Sequence, residues 1–206
     1  MTLPLPLRNR LAELILESLH DAKTRRALEA LVRFCAEPEP AAVLPELGAA
    51  FPAAVRGEFR RFRNELCART RRAWEVVRDR PLDRPEPALG EVLDQAADLF
   101  DAHLFFEVHE LLEPYWIRAD GAAREALQGL IQIAVGFQHL VNENVEGARM
   151  LLEEGSAKVA GKRLEGRDLA KFVSAVRSAL DAVVALGREA PRVFDWAQVP
   201  RFPRGD

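Results

Sequence analysis

The chain has 206 residues, is 49% hydrophobic and carries a net charge of −3 at pH 7. That length fits one ordinary domain or two small ones, and the apolar share is ample for a core. The slightly acidic balance predicts no general affinity for nucleic acid or for an anionic membrane surface. No stretch reaches the ~20 apolar residues of a membrane span, and the N-terminus lacks a signal peptide's basic start and apolar core.

Ala, Leu, Glu and Arg dominate, and alternating Val/Ile/Thr runs are absent, so strands are poorly supported. The expectation is an all-α protein: a multi-helix bundle with a helical hairpin core in the C-terminal half and a helical N-terminal extension. Cys35 and Cys67 are the only cysteines. Two cysteines in a chain of this length make no disulfide framework, so free thiols and a cytoplasmic location are expected.

In chain order, Leu11, Leu14, Ile15 and Leu19 predict a first amphipathic helix, and Leu28, Leu31, Val32 and Cys35 a second. Pro38, Pro40 and Pro45 break the pattern, and Pro52 stands where a longer helix would open. Val55, Phe59, Phe62, Leu66, Ala73 and Val77 continue that helix at close to heptad spacing. Between Arg56 and Arg80 it carries nine arginines against four carboxylates. Such a face would suit an acidic partner or RNA, but no nucleic-acid motif accompanies it. The chain as a whole prefers arginine (25) to lysine (4), so a solvated face is the favoured reading.

Pro81, Pro85 and Pro87 mark a linker. The expected organisation is a helical N-terminal extension with a basic helix over 1–80, a Pro-rich linker over 81–88 and a helical bundle over 89–206. Leu89, Val92, Leu93, Ala96, Leu99 and Phe100 form a helix that leads through a tight turn near Asp101 to His103 into a second one. Beyond the central helices, Asn142 and Asn144 read as turn and N-cap residues, followed by a helix burying Ala148, Leu151, Leu152 and Val159. Gly161 and Gly166 flank a loop, Asp168 is a plausible N-cap, and Leu169 to Val184 give a last helix closed by Gly187 and Pro191. The tail Val193-Phe194-Asp195-Trp196 is aromatic and is expected to pack back onto the bundle, without helix near Pro200 and Pro203.

The stretch between these flanks carries the functional signal. Leu104 to Trp116 reads LFFEVHELLEPYW, and Leu127 to Leu140 reads LQGLIQIAVGFQHL. At about 100° per residue, Leu104, Phe105, Val108, Leu111, Leu112, Tyr115 and Trp116 share one apolar arc, bordered by His109 and Glu113. These two are four apart and stand one above the other. Glu107 and Glu110 lie further round. The second segment is apolar nearly all round, as in a buried helix, except for Gln128, Gln132 and His139 on one stripe. Gly129 and Gly136 share a side and would let another helix come close. The loop between the segments, roughly Ala119 to Ala123, is short, so the helices should be antiparallel neighbours. A buried polar stripe must find partners, and the expected ones are His109 and Glu113.

The run Phe105-Phe106-Glu107-x-His109-Glu110-x-x-Glu113-x-x-Trp116, followed by Leu127-Gln128-Gly129-Leu130-Ile131 and His139, resembles the family called domain of unknown function 309. The resemblance covers about residues 90 to 160. It implies an all-helical fold of microbial cytoplasmic proteins and assigns no activity. The family usually has a glycine at the turn before the aromatic pair, where this chain has His103; a glycine takes positive φ cheaply and a histidine less so.

Three readings follow for the polar residues. A helical binding or interaction module would use Glu107, His109, Glu110, Glu113, Trp116, Gln128, Gln132 and His139 as a buried hydrogen-bonded cluster that fixes the register of two helices. A metal-dependent hydrolase would use His109 and Glu113 on one turn and His139 from the facing helix as three ligands of a divalent metal, the candidate cofactor. An adaptor would use the basic helix. The cluster reading is favoured, because buried His and Gln are usually paired for structure, and no nucleophile stands beside the His/Glu pair. Membrane partners are not expected, nucleic acid is disfavoured, and a homo-oligomer is left open.

Overall fold

A computed structural model describes residues 3–36 and 55–205, apart from the side chains of 55–60. Pro38, Pro40, Pro45 and Pro52 lie outside the described residues, as do the side chains of Val55, Arg56, Phe59 and Arg60. The protein is all-α, with a helical hairpin at the heart of its C-terminal part. The chain divides into two compact units, Met1–Glu86 and Pro87–Asp206.

The N-terminal unit contains α1 (Leu5–Glu17), α2 (Ala22–Ala36) and α3 (Val55–Val77). Leu7, Leu11, Leu14 and Ile15 recur at i, i+4, i+7 and i+8, so α1 buries one continuous stripe. Asp21 begins α2 by accepting from the Thr24 amide at 2.6 Å and the Thr24 hydroxyl at 2.7 Å, which satisfies a donor that the first turn would leave orphaned. Arg25 ties the unit together: it donates to the carbonyls of Ser18 at 2.9 Å and Arg80 at 2.6 Å. The Asp83 amide donates to the Leu19 carbonyl at 2.9 Å, so the proline-rich segment lies back against the α1–α2 turn.

One expectation fails in this unit. Cys35 on α2 and Cys67 on α3 are joined in a disulfide, with Cα atoms 5.5 Å apart. They are not free thiols, and the argument from them to a reducing compartment falls. Both are core residues, 5% and 3% exposed. Their pairing follows from how α2 and α3 pack, a tertiary fact that a spacing of 32 residues along the chain does not announce.

The C-terminal unit runs α4 (Leu89–Asp101), α5 (Phe105–Arg118), α6 (Gly121–Val141) and α7 (Val145–Val159), then a two-residue-per-strand hairpin, then α8 (Ala170–Leu186) and a short helical turn, Ala190–Val193. The hairpin pairs Arg163 with Asp168 and Leu164 with Arg167 where only a loop was expected. Its turn residues, Glu165 at φ 48° and Gly166 at φ 79°, have the paired positive φ of a tight hairpin. Arg167, 5% exposed, clasps this hairpin to α4 by donating to the Gly90 carbonyl at 2.9 Å and the Asp94 carboxylate at 2.6 Å.

Phe100 at the end of α4 is the centre of the core. Its ring meets Phe105 at 5.1 Å, Phe137 at 5.9 Å, Phe172 at 5.9 Å and Phe202 at 5.4 Å, so α4, α5, α6, α8 and the tail converge on one residue. The tail does pack back: Phe194 and Phe202 are buried. The Phe202 amide donates to Asp101 at 3.0 Å, and Arg204 pairs with Asp98 at 2.9 Å and Asp101 at 3.1 Å.

Candidate functional site: the outward edge of α5

The turn that launches α5 is unusual. His103 has φ 57°, a left-handed conformation that a residue with a Cβ adopts at some cost. The turn is closed by bonds from the His103 amide to Phe100 at 2.8 Å and from the Leu104 amide to Leu99 at 2.9 Å. The His103 ring lies stacked on Phe105, centroids 5.4 Å apart. α5 then buries Phe105, Phe106, Val108, Leu111 and Leu112. Glu107, in its first turn, is fully buried with them.

The opposite edge of α5 remains half open. His109 and Glu110 are 27% and 34% exposed at their side chains, with His109 Nδ1 2.9 Å from Glu110 Oε1. Glu113 is half-buried one turn on. One ligand-capable atom from each of His109, Glu110 and Glu113 lies within 4.8 Å of the others. Next along the strip stand Pro114, exposed, and Ile117, 60% exposed. Trp116 is half-buried and carries the Arg124 guanidinium over its ring at 4.6 Å. Arg124 also donates to the carbonyls of Trp116, Ile117 and Ala119 at 3.0 to 3.2 Å, satisfying acceptors that the end of α5 leaves open.

α6 does run beside α5, but its polar stripe points elsewhere. Gln132 donates to Glu154 of α7 at 2.8 Å. His139 Nδ1 lies 2.8 Å from the Asn144 side-chain amide. Asn144 uses its oxygen to cap α7, accepting from the Gly147 amide at 3.0 Å, so its nitrogen donates to an unprotonated His139 Nδ1. Burial lowers the pKa of His139 from the ordinary 6.5. Gln128 is half-buried on α6.

Of the expected seam that sets Gln128, Gln132 and His139 against His109 and Glu113, Gln132 and His139 therefore face α7 and its cap instead. The cause lies in Gly129 and Gly136. A Cβ on Gly129 would lie 2.8 Å from the Gly155 carbonyl oxygen, and one on Gly136 2.8 Å from Leu152. These gaps seat α7 directly on the glycine side of α6. Gln132 and His139 each follow a glycine by three residues, so they sit on that same side.

The chemistry left to α5 is one imidazole and two carboxylates on a single turn. Glu110 belongs to this group and His139 does not. Such a mixed N/O set suits a divalent transition ion. Hydrogen-bonded to Glu110, the His109 ring would offer Nε2, and a carboxylate on the second ring nitrogen is the usual way to orient a ligating histidine.

Residues 93–151 match the family model of DUF309, a domain of unknown function. The matched DUF309 segment begins within α4, contains all of α5 and α6, and ends within α7. It thus takes in the His109/Glu110/Glu113 edge and all of α6, and stops short of Leu152, Glu154 and Gly155, through which α7 meets α6. Neither a curated protein nor a solved structure matches the chain. Among the described residues no helix is long and apolar enough to cross a membrane.

Proposed function

We propose that the C-terminal bundle is a binding module for a divalent metal ion on α5, with His109 Nε2 and the Glu113 carboxylate as ligands and Glu110 orienting the His109 ring. The observation that carries this reading is the 4.8 Å gathering of their ligand atoms on a half-open helix edge. We further propose the division expected from the sequence: a helical extension over 1–80, a linker over 81–88 and the bundle over 89–206.

Two other readings lose support. A hydrolytic centre built on His109, Glu113 and His139 needs all three around one ion, and His139 is engaged by Asn144. An adaptor function for the basic helix needs a free cationic face. Arg69 is 4% exposed, Arg78 pairs with Glu75 and Asp79, and Arg80 pairs with Asp83, which leaves Arg61 and Arg71 as the exposed arginines of the described part of that face.

The test is calorimetric titration of the chelator-stripped full chain with Zn²⁺, Co²⁺, Ni²⁺ and Mn²⁺. Saturable binding should be lost in His109→Ala and Glu113→Gln and kept in His139→Ala. Bound metal at a hundred times its Kd should add about 2.7 kcal/mol of stability. An absence of binding, or binding undiminished in His109→Ala, refutes the assignment.

A further inference from the structure

The α5 site is one-sided. Its three polar groups come from a single turn of one helix, so whatever they offer an ion lies on one side of it. Zinc and its neighbours take four ligands or more. No other His, Cys, Asp or Glu among the described residues joins His109, Glu110 and Glu113 within the 4.8 Å gathering. If Glu110 orients the His109 ring, only His109 Nε2 and the Glu113 carboxylate remain as ligands, which is half of a tetrahedral shell.

The surface beside this half-shell is not one that water would favour. His109, Glu113 and Ile117 stand at i, i+4 and i+8, one above another on the helix. Ile117, 60% exposed, is among the large apolar side chains most open to solvent, and exposed Pro114 flanks it. A donor pair bordered by apolar surface fits a protein face better than bulk solvent.

We infer that two copies of this chain bind one divalent ion between them, α5 against α5 across a two-fold axis, each supplying His109 and Glu113. A two-fold interface is self-complementary, so every residue placed near the axis is delivered twice. Two imidazoles and two carboxylates then complete the shell, and Ile117 of each copy is covered by the other. The inference rests on the proposed metal site and deepens it by naming the missing ligands.

Charge decides when this interface forms. Each copy brings Glu110 and Glu113 to the axis, so four carboxylates meet there. Without a cation they repel, and the chain stays apart. A dication coordinated by the two Glu113 side chains offsets their charge, while each Glu110 faces the His109 ring of its own copy. The interface is thus switched by metal.

The experiment uses the full chain in two measurements: light scattering after size exclusion, with Zn²⁺ and with chelator, and calorimetric stoichiometry. The expected result is a monomer in chelator, a dimer with Zn²⁺, and one ion per two chains. Co²⁺ in place of Zn²⁺ should give the intense visible absorption of a four-coordinate site. Ile117→Asp, an exposed change that leaves the fold alone, should block dimerisation and abolish that absorption. A monomer that binds one ion per chain overturns the inference and leaves the metal site standing. A dimer that forms equally in chelator, or unchanged in Glu113→Gln, also overturns it. No binding of any ion removes both the inference and the site beneath it.

Discussion

Reducing the Cys35–Cys67 bond is the sharpest perturbation available to the N-terminal unit. The bond joins α2 to α3 across 32 residues of sequence. In the chain-entropy account a cross-link of that span removes about 12 cal/mol/K from the unfolded ensemble, or about 3.7 kcal/mol at 25 °C. The unit spans only Met1–Glu86, a size at which burial alone leaves little net stability. For a unit of this size, 3.7 kcal/mol corresponds to a fall in Tm of roughly 15–30 °C. The assay is thermal unfolding with and without a dithiol reductant, and in the Cys35→Ala/Cys67→Ala double variant. Hydrogen exchange would locate the loss. Amides of α1, α2 and α3 should lose protection, while those of α4 to α8 keep theirs. Two titratable thiols in native protein prepared without reductant would refute the pairing, and an unchanged Tm for the N-terminal unit would refute the energetics.

Three further outcomes are expected. In the α4–α5 turn, His103→Gly should be more stable than His103→Ala by ~1 kcal/mol, because both remove the ring but only Ala keeps a Cβ at positive φ; equal denaturant midpoints would mean the turn is not left-handed. At the α6–α7 contact, a Cβ on Gly155 would lie 2.7 Å from the Gly129 carbonyl oxygen and 2.8 Å from Ile133, so Gly155→Ala should cost ~1–3 kcal/mol or more, whereas Gly90→Ala, whose nearest neighbour is 3.7 Å away, should be tolerated. The depressed pKa of His139 means the unfolded chain binds its proton more readily. Stability from this group is whole above the unfolded value of 6.5 and is lost as pH falls through the lowered folded pKa; His139→Gln should flatten that acid limb, and an unaltered pH profile would show that the ring is not buried neutral.

Helices were legible because their signal is local. Leu11, Leu14 and Ile15, or Leu99, Phe100 and Phe105, declare a buried face through spacing alone, and all six are core residues. Asn144 as an N-cap and the aromatic tail were legible for the same reason: each needs only its neighbours in sequence or a large apolar side chain with nowhere else to go. The short hairpin escaped notice because two residues per strand are too few for a period-2 pattern. The disulfide depends on which helices touch, and no local pattern encodes that.

The polar seam shows a subtler limit. A helical wheel gives the direction of each Cβ but not which neighbour lies in that direction. The short loop between α5 and α6 argues for setting Gln132 and His139 against α5, yet the deeper contact of α6 is with α7, along the glycine side. The spacing already held that information: each polar residue lies three after a glycine, and the glycine marks where a second backbone comes closest. The wheel misled differently at Glu110. Its Cβ is turned about 100° from that of His109, which argued for separate edges, but the side chain spans the gap and meets the ring nitrogen at 2.9 Å. Direction is set by the backbone and reach by the side chain. A site that combines a histidine with glutamates is therefore defined by reach, and that is why the ligand set on α5 closes on neighbouring residues and not across helices.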